Sequence, residues 1–190
     1  MRRVLVVLLP VMLALGLGAC AKRGAEPAAD TTGEQTSGDV AASGETVTLR
    51  TPIPFAASAE VRQAVRDECQ LQEKLAGFIQ QFAAEQDIAV NTSSEPTSAI
   101  DGRVLSVAIT NVYAPAGGAY SGGKAVTIEA ELTENGRAIG DLTARRISGG
   151  GAFAVFKGTC DILGRDVETL GADTARFLQS PGPDMRMGNL

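Results

Sequence analysis

Between Arg103 and Ile147 the apolar residues recur at every second position, and this alternation constrains the fold more than any other feature of the chain. Leu105, Val107 and Ile109 alternate with Ser106, Ala108 and Thr110; Val126, Ile128, Ala130 and Leu132 alternate with Thr127, Glu129, Glu131 and Thr133. Successive side chains of a strand point to opposite faces, so each run spells a strand buried on one side and solvated on the other. Asn135-Gly136 follows at once. Both central positions of a type I′ turn need positive φ, so this dipeptide predicts a hairpin with Arg137 to Ile147 returning as a third antiparallel strand. A strict two-residue loop would pair Leu132 with Ile139 but set Glu129 opposite Leu142. A bulge near Gly140 is therefore expected, to keep the apolar set on one face.

Two helices accompany these strands. Over residues 58 to 85, Val61, Ala64, Val65, Leu71, Leu75, Phe78, Ile79 and Phe82 fall within an arc of about 140°, with Ser58 as the expected N-cap. Cys160 to Leu178 carries a second apolar side made of Ile162, Leu163, Val167, Leu170, Ala175, Phe177 and Leu178, and Gln179-Ser180-Pro181 should end it. Thr46 to Arg50 reads as an edge strand stopped by Pro52 and Pro54, Ile88 to Thr92 as a short strand, and Ser93 to Gly102 as a polar loop. The expected class is α+β, a two-layer sandwich with two amphipathic helices on one face of a mostly antiparallel sheet of four or five strands. One domain spans 46-180, and 181-190 is expected to be a loose tail.

The amino terminus says where the chain resides. Arg2 and Arg3 precede an apolar run from Val4 to Leu17 that is short of the ~20 residues needed to span a bilayer and contains Pro10, which reads as a signal peptide. Leu17-Gly18-Ala19-Cys20 resembles the lipobox of bacterial lipoproteins, which implies removal of residues 1-19 and acylation of Cys20. Ala21 stands where an aspartate would imply retention in the inner membrane, so the periplasmic face of the outer membrane is the expected location. Residues 20-45 lack large apolar side chains almost entirely and read as a disordered tether, roughly 25 to 30 Å end to end and extensible to about 85 Å.

Composition then narrows the function. The 190-residue chain has no histidine and no tryptophan, which removes the commonest general base and the usual catalytic triads. Loss of residues 1-19 takes two of the 17 basic residues and leaves 15 against 22 acidic ones, a net charge of about −7. Nucleic acid is excluded as a partner class on that ground. No cofactor, metal-ligand set or catalytic residue is nominated. Gly118 to Lys124 has the G-x-x-x-x-G-K spacing of a phosphate-cradling loop, but Ala125 stands where a magnesium-binding hydroxyl should be, and a strand pattern follows instead of a helix. Nucleotide is thus not an expected ligand. Strand direction places this loop and Gly149-Gly150-Gly151 at the same end of the sheet. Tyr113, Tyr120, Ser121, Lys124, Arg145, Arg146, Phe153 and Lys157 lie around them, a basic and aromatic set suited to recognition.

Several motifs together carry a wider resemblance. Val61-Arg62 with Glu68-Cys69, Gly117 to Lys124, Glu131-Leu132 with Asn135-Gly136, Ala144 to Gly150, Thr159-Cys160 with Ile162-Leu163, and Leu170-Gly171 with Asp173 resemble a family of uncharacterised proteobacterial envelope lipoproteins, over roughly residues 58 to 180. The element order is also similar to the amino-terminal domain of TolB and to lipoprotein activators of cell-wall synthases. The function expected is that of a non-enzymatic adaptor or accessory factor for an envelope protein; the alternative is a carrier or sensor of a small anionic or apolar ligand. Cys69 and Cys160 remain as an even pair once Cys20 is assigned to lipid. In an oxidising periplasm a bridge between the two helices is expected, closing a loop of about 92 residues and contributing at most roughly 4 to 5 kcal/mol.

Mass spectrometry of membrane-extracted protein should find Cys20 acylated and amino-terminal. Recovery of an unmodified protein starting elsewhere would contradict the lipobox reading.

Overall fold

The apolar face announced by the alternating runs is the floor of a six-stranded sheet in the computed structural model, which describes residues 45–116, 122–149 and 158–190. The elements in chain order are β1 (Thr46–Arg50), α1 (Gln63–Glu68), α2 (Leu71–Ala84), β2 (Ala89–Ser93), a 3-10 turn (Thr97–Ala99), β3 (Arg103–Tyr113), β4 (Lys124–Glu134), β5 (Arg137–Ser148), α3 (Thr159–Gln179) and β6 (Met185–Gly188). The strand order is β2-β1-β3-β4-β5-β6. The α+β class holds, but the sheet is mixed and larger than expected: β3, β4 and β5 are antiparallel, whereas β1 runs parallel to both its neighbours and β6 parallel to β5.

The central hairpin follows its local chemistry. Asn135 and Gly136 both take positive φ, 50° and 77°, and the Asn135 side-chain oxygen accepts from the Gly102 amide at 3.0 Å. In β5 the register slips once, pairing Leu132 with Gly140 and Thr133 with Ala138, so that Ile139 is the extra residue and Ala130 faces Leu142. A second slip in β3 leaves Thr110 unpaired between Ile109 and Asn111. After both slips Leu105, Val107, Ile109, Val126, Ile128, Leu132, Leu142 and Ala144 share one buried face, in a core with Leu75 and Ile79 of α2 and Val167, Leu170 and Phe177 of α3. The opposite face, with Ser106, Ala108, Glu129, Glu131, Asp141 and Thr143, is half-buried or exposed and carries no helix among the described residues.

Four expectations are corrected. The helix expected over 58 to 85 is two helices, broken at Cys69 and Gln70, where Gln70 adopts a left-handed conformation. On one continuous helix Val65 and Leu71 would stand about 120° apart, and the break lets both be buried. Ser58 caps nothing, because Ala56 to Ala59 forms a turn and helix begins only after Arg62. β1 is an interior strand, since its prolines follow the strand and leave the ladders on both sides intact. Residues 181 to 190 are not loose: Met185–Gly188 pairs with Leu142–Arg145, and the Asn189 amide donates to the Arg145 carbonyl at 2.8 Å.

Cys69 and Cys160 form a disulfide with Cα atoms 4.8 Å apart, tying the end of α1 to the first turn of α3. Farther along, α2 and α3 approach so closely that a Cβ on Gly171 would stand 2.6 Å from the Phe78 Cβ, whereas Gly164 of the same helix has open space around it. Among the described residues no helix is long and apolar enough to cross a membrane.

The two glycines should respond oppositely to alanine. Gly171→Ala forces α2 and α3 apart and should lower stability by about 1 to 3 kcal/mol, while Gly164→Ala should raise it by up to about 1 kcal/mol through helix propensity. Urea unfolding followed by circular dichroism measures both.

Candidate functional site

The end of the sheet where β3 and β5 finish gathers what the sequence marked for recognition. Tyr113 pairs with Ala125, Ala125 pairs with Ile147, and Lys124 pairs with Ser148, so the connections between β3 and β4 and between β5 and α3 leave from adjacent positions. Direct partners point to the same face. Tyr113 and Ile147 therefore flank Ala125 on the uncovered side, 57% and 46% exposed. The carboxy terminus arrives at the same corner, where the Asn189 side-chain oxygen accepts from the Ile147 amide at 3.2 Å and Leu190 is 50% exposed. Among the described residues these three are the exposed large apolar side chains. Tyr120, Ser121, Phe153 and Lys157 lie outside the described residues, as does Cys20.

Two of the expected recognition residues have other employment. Lys124 is fully buried on the helix side of β4; its Nζ donates to the Pro115 carbonyl at 3.0 Å, and burial together with the nearby Arg62 pulls its pKa down. It ties the root of a connection to the sheet and does not present a charge to a partner. The residues after it continue as β4, as the sequence pattern implied, and no helix amino terminus stands behind it. Arg146 also points toward the helices, where Nε and Nη2 grip the two oxygens of Asp173 at 2.7 and 2.6 Å. That hydrogen bonding raises the Arg146 pKa against the opposing effect of burial. Arg176, one turn below, donates to the same carboxylate at 2.6 Å, so the fully buried Asp173 is held by two guanidinium groups. Among the described basic candidates Arg145 alone remains on the uncovered face, half-buried beside Gly188 and with its Nε enclosed and unbonded.

Sequence reasoning missed the polar residues that α3 contributes. Asp166 and Asp173 are seven apart, nearly in line on a helix, and both fall on the stripe that carries Val167 and Leu170. Carboxylates on an apolar stripe were the available signal. Asp173 has its two arginines; Asp166, 1% exposed, has no hydrogen bond to either oxygen.

A second feature is a depression across the middle of the uncovered face. Arg50, Pro52 and Pro54 border it on one side and Glu129, Glu131 and Asp141 on the other, above a floor that includes Ser106 and Ala108. It is open to solvent. No group of metal-binding side chains occurs among the described residues.

No protein-family model matches the chain, and no curated protein matches it either. Among solved structures, the chain is similar to the PelC dodecamer from Paraburkholderia phytofirmans, with 14% identity over 68% of this chain and 87% of that one and a TM-score of 0.43. It is similar to a DUF330 protein from Xanthomonas campestris, with 12% identity, coverage of 70% and 83%, and a TM-score of 0.43. A minor lipoprotein from Acinetobacter baumannii matches with 12% identity, coverage of 72% and 92%, and a TM-score of 0.40. At these values the likenesses carry no argument about activity, assembly or partners.

Truncating the inward-facing charges should cost stability. Lys124→Ala and Arg146→Ala should each lower unfolding free energy by about 2 kcal/mol, the second because Asp173 stays buried with one guanidinium fewer. Tyr113→Ala, at an exposed site, should change it by less than about 0.5 kcal/mol. Denaturant titration separates the two classes.

Proposed function

We propose that this chain is a lipid-anchored protein of the periplasmic face of the outer membrane, whose domain serves as a non-enzymatic adaptor for another envelope protein. The observation that carries the reading is the opposition of the two ends of the sheet. Glu45, before which the expected tether lies in sequence, forms an ion pair with Arg103 at the start of β3, next to the Asn135-Gly136 turn. Tyr113 and Ile147 stand at the far end of β3 and β5. Eleven residues of β3 separate these ends, about 35 Å at strand spacing. An anchor at one end and exposed aromatic and aliphatic anchors at the other suit a domain that holds a partner away from its own attachment point.

Binding is favoured over catalysis because three of the described basic groups near this end are engaged in the fold: Lys124 on Pro115, and Arg146 and Arg176 on Asp173. The carrier alternative calls for an enclosed apolar cavity, whereas the depression on the uncovered face is open, and this supports an exposed docking surface. The similarity in element order to the TolB amino-terminal domain and to cell-wall synthase activators belongs to this proposal as well.

A photo-reactive amino acid placed at Tyr113 or Ile147 of the full-length protein should crosslink in cells to one discrete envelope protein. The same probe at Arg137, beside the opposite turn, should not. The double variant Tyr113→Ala, Ile147→Ser should lose that capture while keeping its unfolding midpoint. Unchanged capture would remove the surface from consideration, and Cys20→Ala remaining in the membrane fraction would remove the anchor.

A further inference from the structure

Asp166 lies in the first half of α3 with both carboxylate oxygens buried and without a hydrogen-bond partner. An ionised carboxylate in that position has surrendered more hydration than its neighbours replace, a cost that buried acids ordinarily avoid by holding their proton. The neighbouring groups do not relieve it. Ser148 at the end of β5 favours the charged form through its hydroxyl, and Arg165, the adjacent and exposed residue on α3, attracts it through space, but burial outweighs both. Lys124, opposite Ser148 on β4, spends its ammonium on the Pro115 carbonyl, and Arg146, two residues before Ser148, is committed to Asp173. Arg62, which precedes α1 and lies near Lys124, donates to the Ala114 carbonyl at 3.2 Å.

We propose that Asp166 is a pH-sensitive catch: protonated, it lets the first half of α3 seal against the end of the sheet, and ionised, it draws water in and loosens that packing. Burial pushes its carboxyl up from 3.8 to about 6, so the change falls within a pH range an envelope protein can meet. The folded form binds more protons than the unfolded form between these two values, so stability falls as pH rises through that window and is flat above it. The disulfide pins Cys160 to Cys69 and keeps the first turn of α3 in place. The response is accordingly local, confined to the stretch after Cys160, and not a release of the helix.

The test uses the full mature chain in detergent micelles. Carbon-13 NMR of labelled aspartate carboxyls should show one resonance, absent from Asp166→Asn, that titrates with a midpoint near 6; a midpoint below about 4.5 overturns the proposal. Amide exchange over residues 161 to 170, corrected for intrinsic rate, should be at least tenfold more protected at pH 5 than at pH 7.5 in the wild type and equal at both in Asp166→Asn. A wild-type exchange profile that ignores pH, or a pH response that survives in Asp166→Asn, also overturns it. Should that variant fail to fold, Ser148→Ala decides. Removing the hydroxyl, the larger of the two influences that favour ionisation, moves the midpoint upward, and an unmoved midpoint refutes the assigned surroundings.

Discussion

The register of the β3-β4-β5 ladder is the constraint on which the rest depends. A strand has a side-chain period of two, so a slip of one residue would turn its whole apolar set toward water. Two extra residues keep the faces sorted. Ile139 absorbs the mismatch left by the tight Asn135-Gly136 turn, and Thr110 does the same where β3 meets the segment after β1. At the second of these places the Ile109 amide donates to the Pro54 carbonyl and the Ala56 amide to the Ile109 carbonyl, so the chain leaving β1 is fastened to the sheet beside the bulge. Beyond it, Val112 and Val126 meet on the buried side and Tyr113 turns outward. The exposure of Tyr113 is thus a consequence of the bulge at Thr110: without it the alternation from Leu105 would carry Tyr113 inward.

One-sided coverage has a second consequence, at the edges of the helical layer. The apolar stripe of α3 is interrupted by Asp166 and Asp173, and the inner face of the sheet ends in Lys124, Arg146 and Ser148. Polar groups packed between layers must find partners or neutralise. Asp173 finds two arginines, Lys124 finds a carbonyl, and Asp166 is left to its proton. These three residues stand within the same layer and have three different solutions, set by which partners the neighbouring elements happen to present.

Much of this architecture was legible in the sequence, and the failures have physical causes. The alternation, the Asn-Gly turn, the compensating bulge, α3 and the cysteine pair were readable because each rests on a local rule that tertiary packing had no reason to override. The break after Glu68 was hidden because Val61 to Phe82 satisfies a helical period loosely enough to conceal a change of phase between Val65 and Leu71. β1 and β6 were misplaced for a different reason: parallel pairing is decided by partners distant in sequence, and neither Thr46–Arg50 nor Met185–Gly188 carries a local signal for it. The site was half legible. Tyr113 is exposed at the expected end of the sheet, but Lys124 and Arg146 were taken for surface charges because a basic residue next to a glycine-rich stretch reads as solvated until the strand's face is known. Lys124 stands two positions before Val126 and Arg146 two after Ala144, so strict alternation already put both on the buried side.

That parity argument also explains why charge is sorted between the faces as it is. Outward positions of β4 and β5 carry Glu129, Glu131 and Asp141, with Glu131 and Asp141 directly opposed. Like charges facing each other across strands cost a few tenths of a kcal/mol or more, and only a solvated face tolerates this cheaply. Covering that face with a helix would bury the pair and raise the cost severalfold, so these acids keep the sheet single-sided. Tyr113 and Ile147 lie two rows beyond Glu129 and Thr143 on the same face, where the acids stop. The acidic rows thereby confine the exposed apolar side chains of this face to the end of the sheet where β3 and β5 finish.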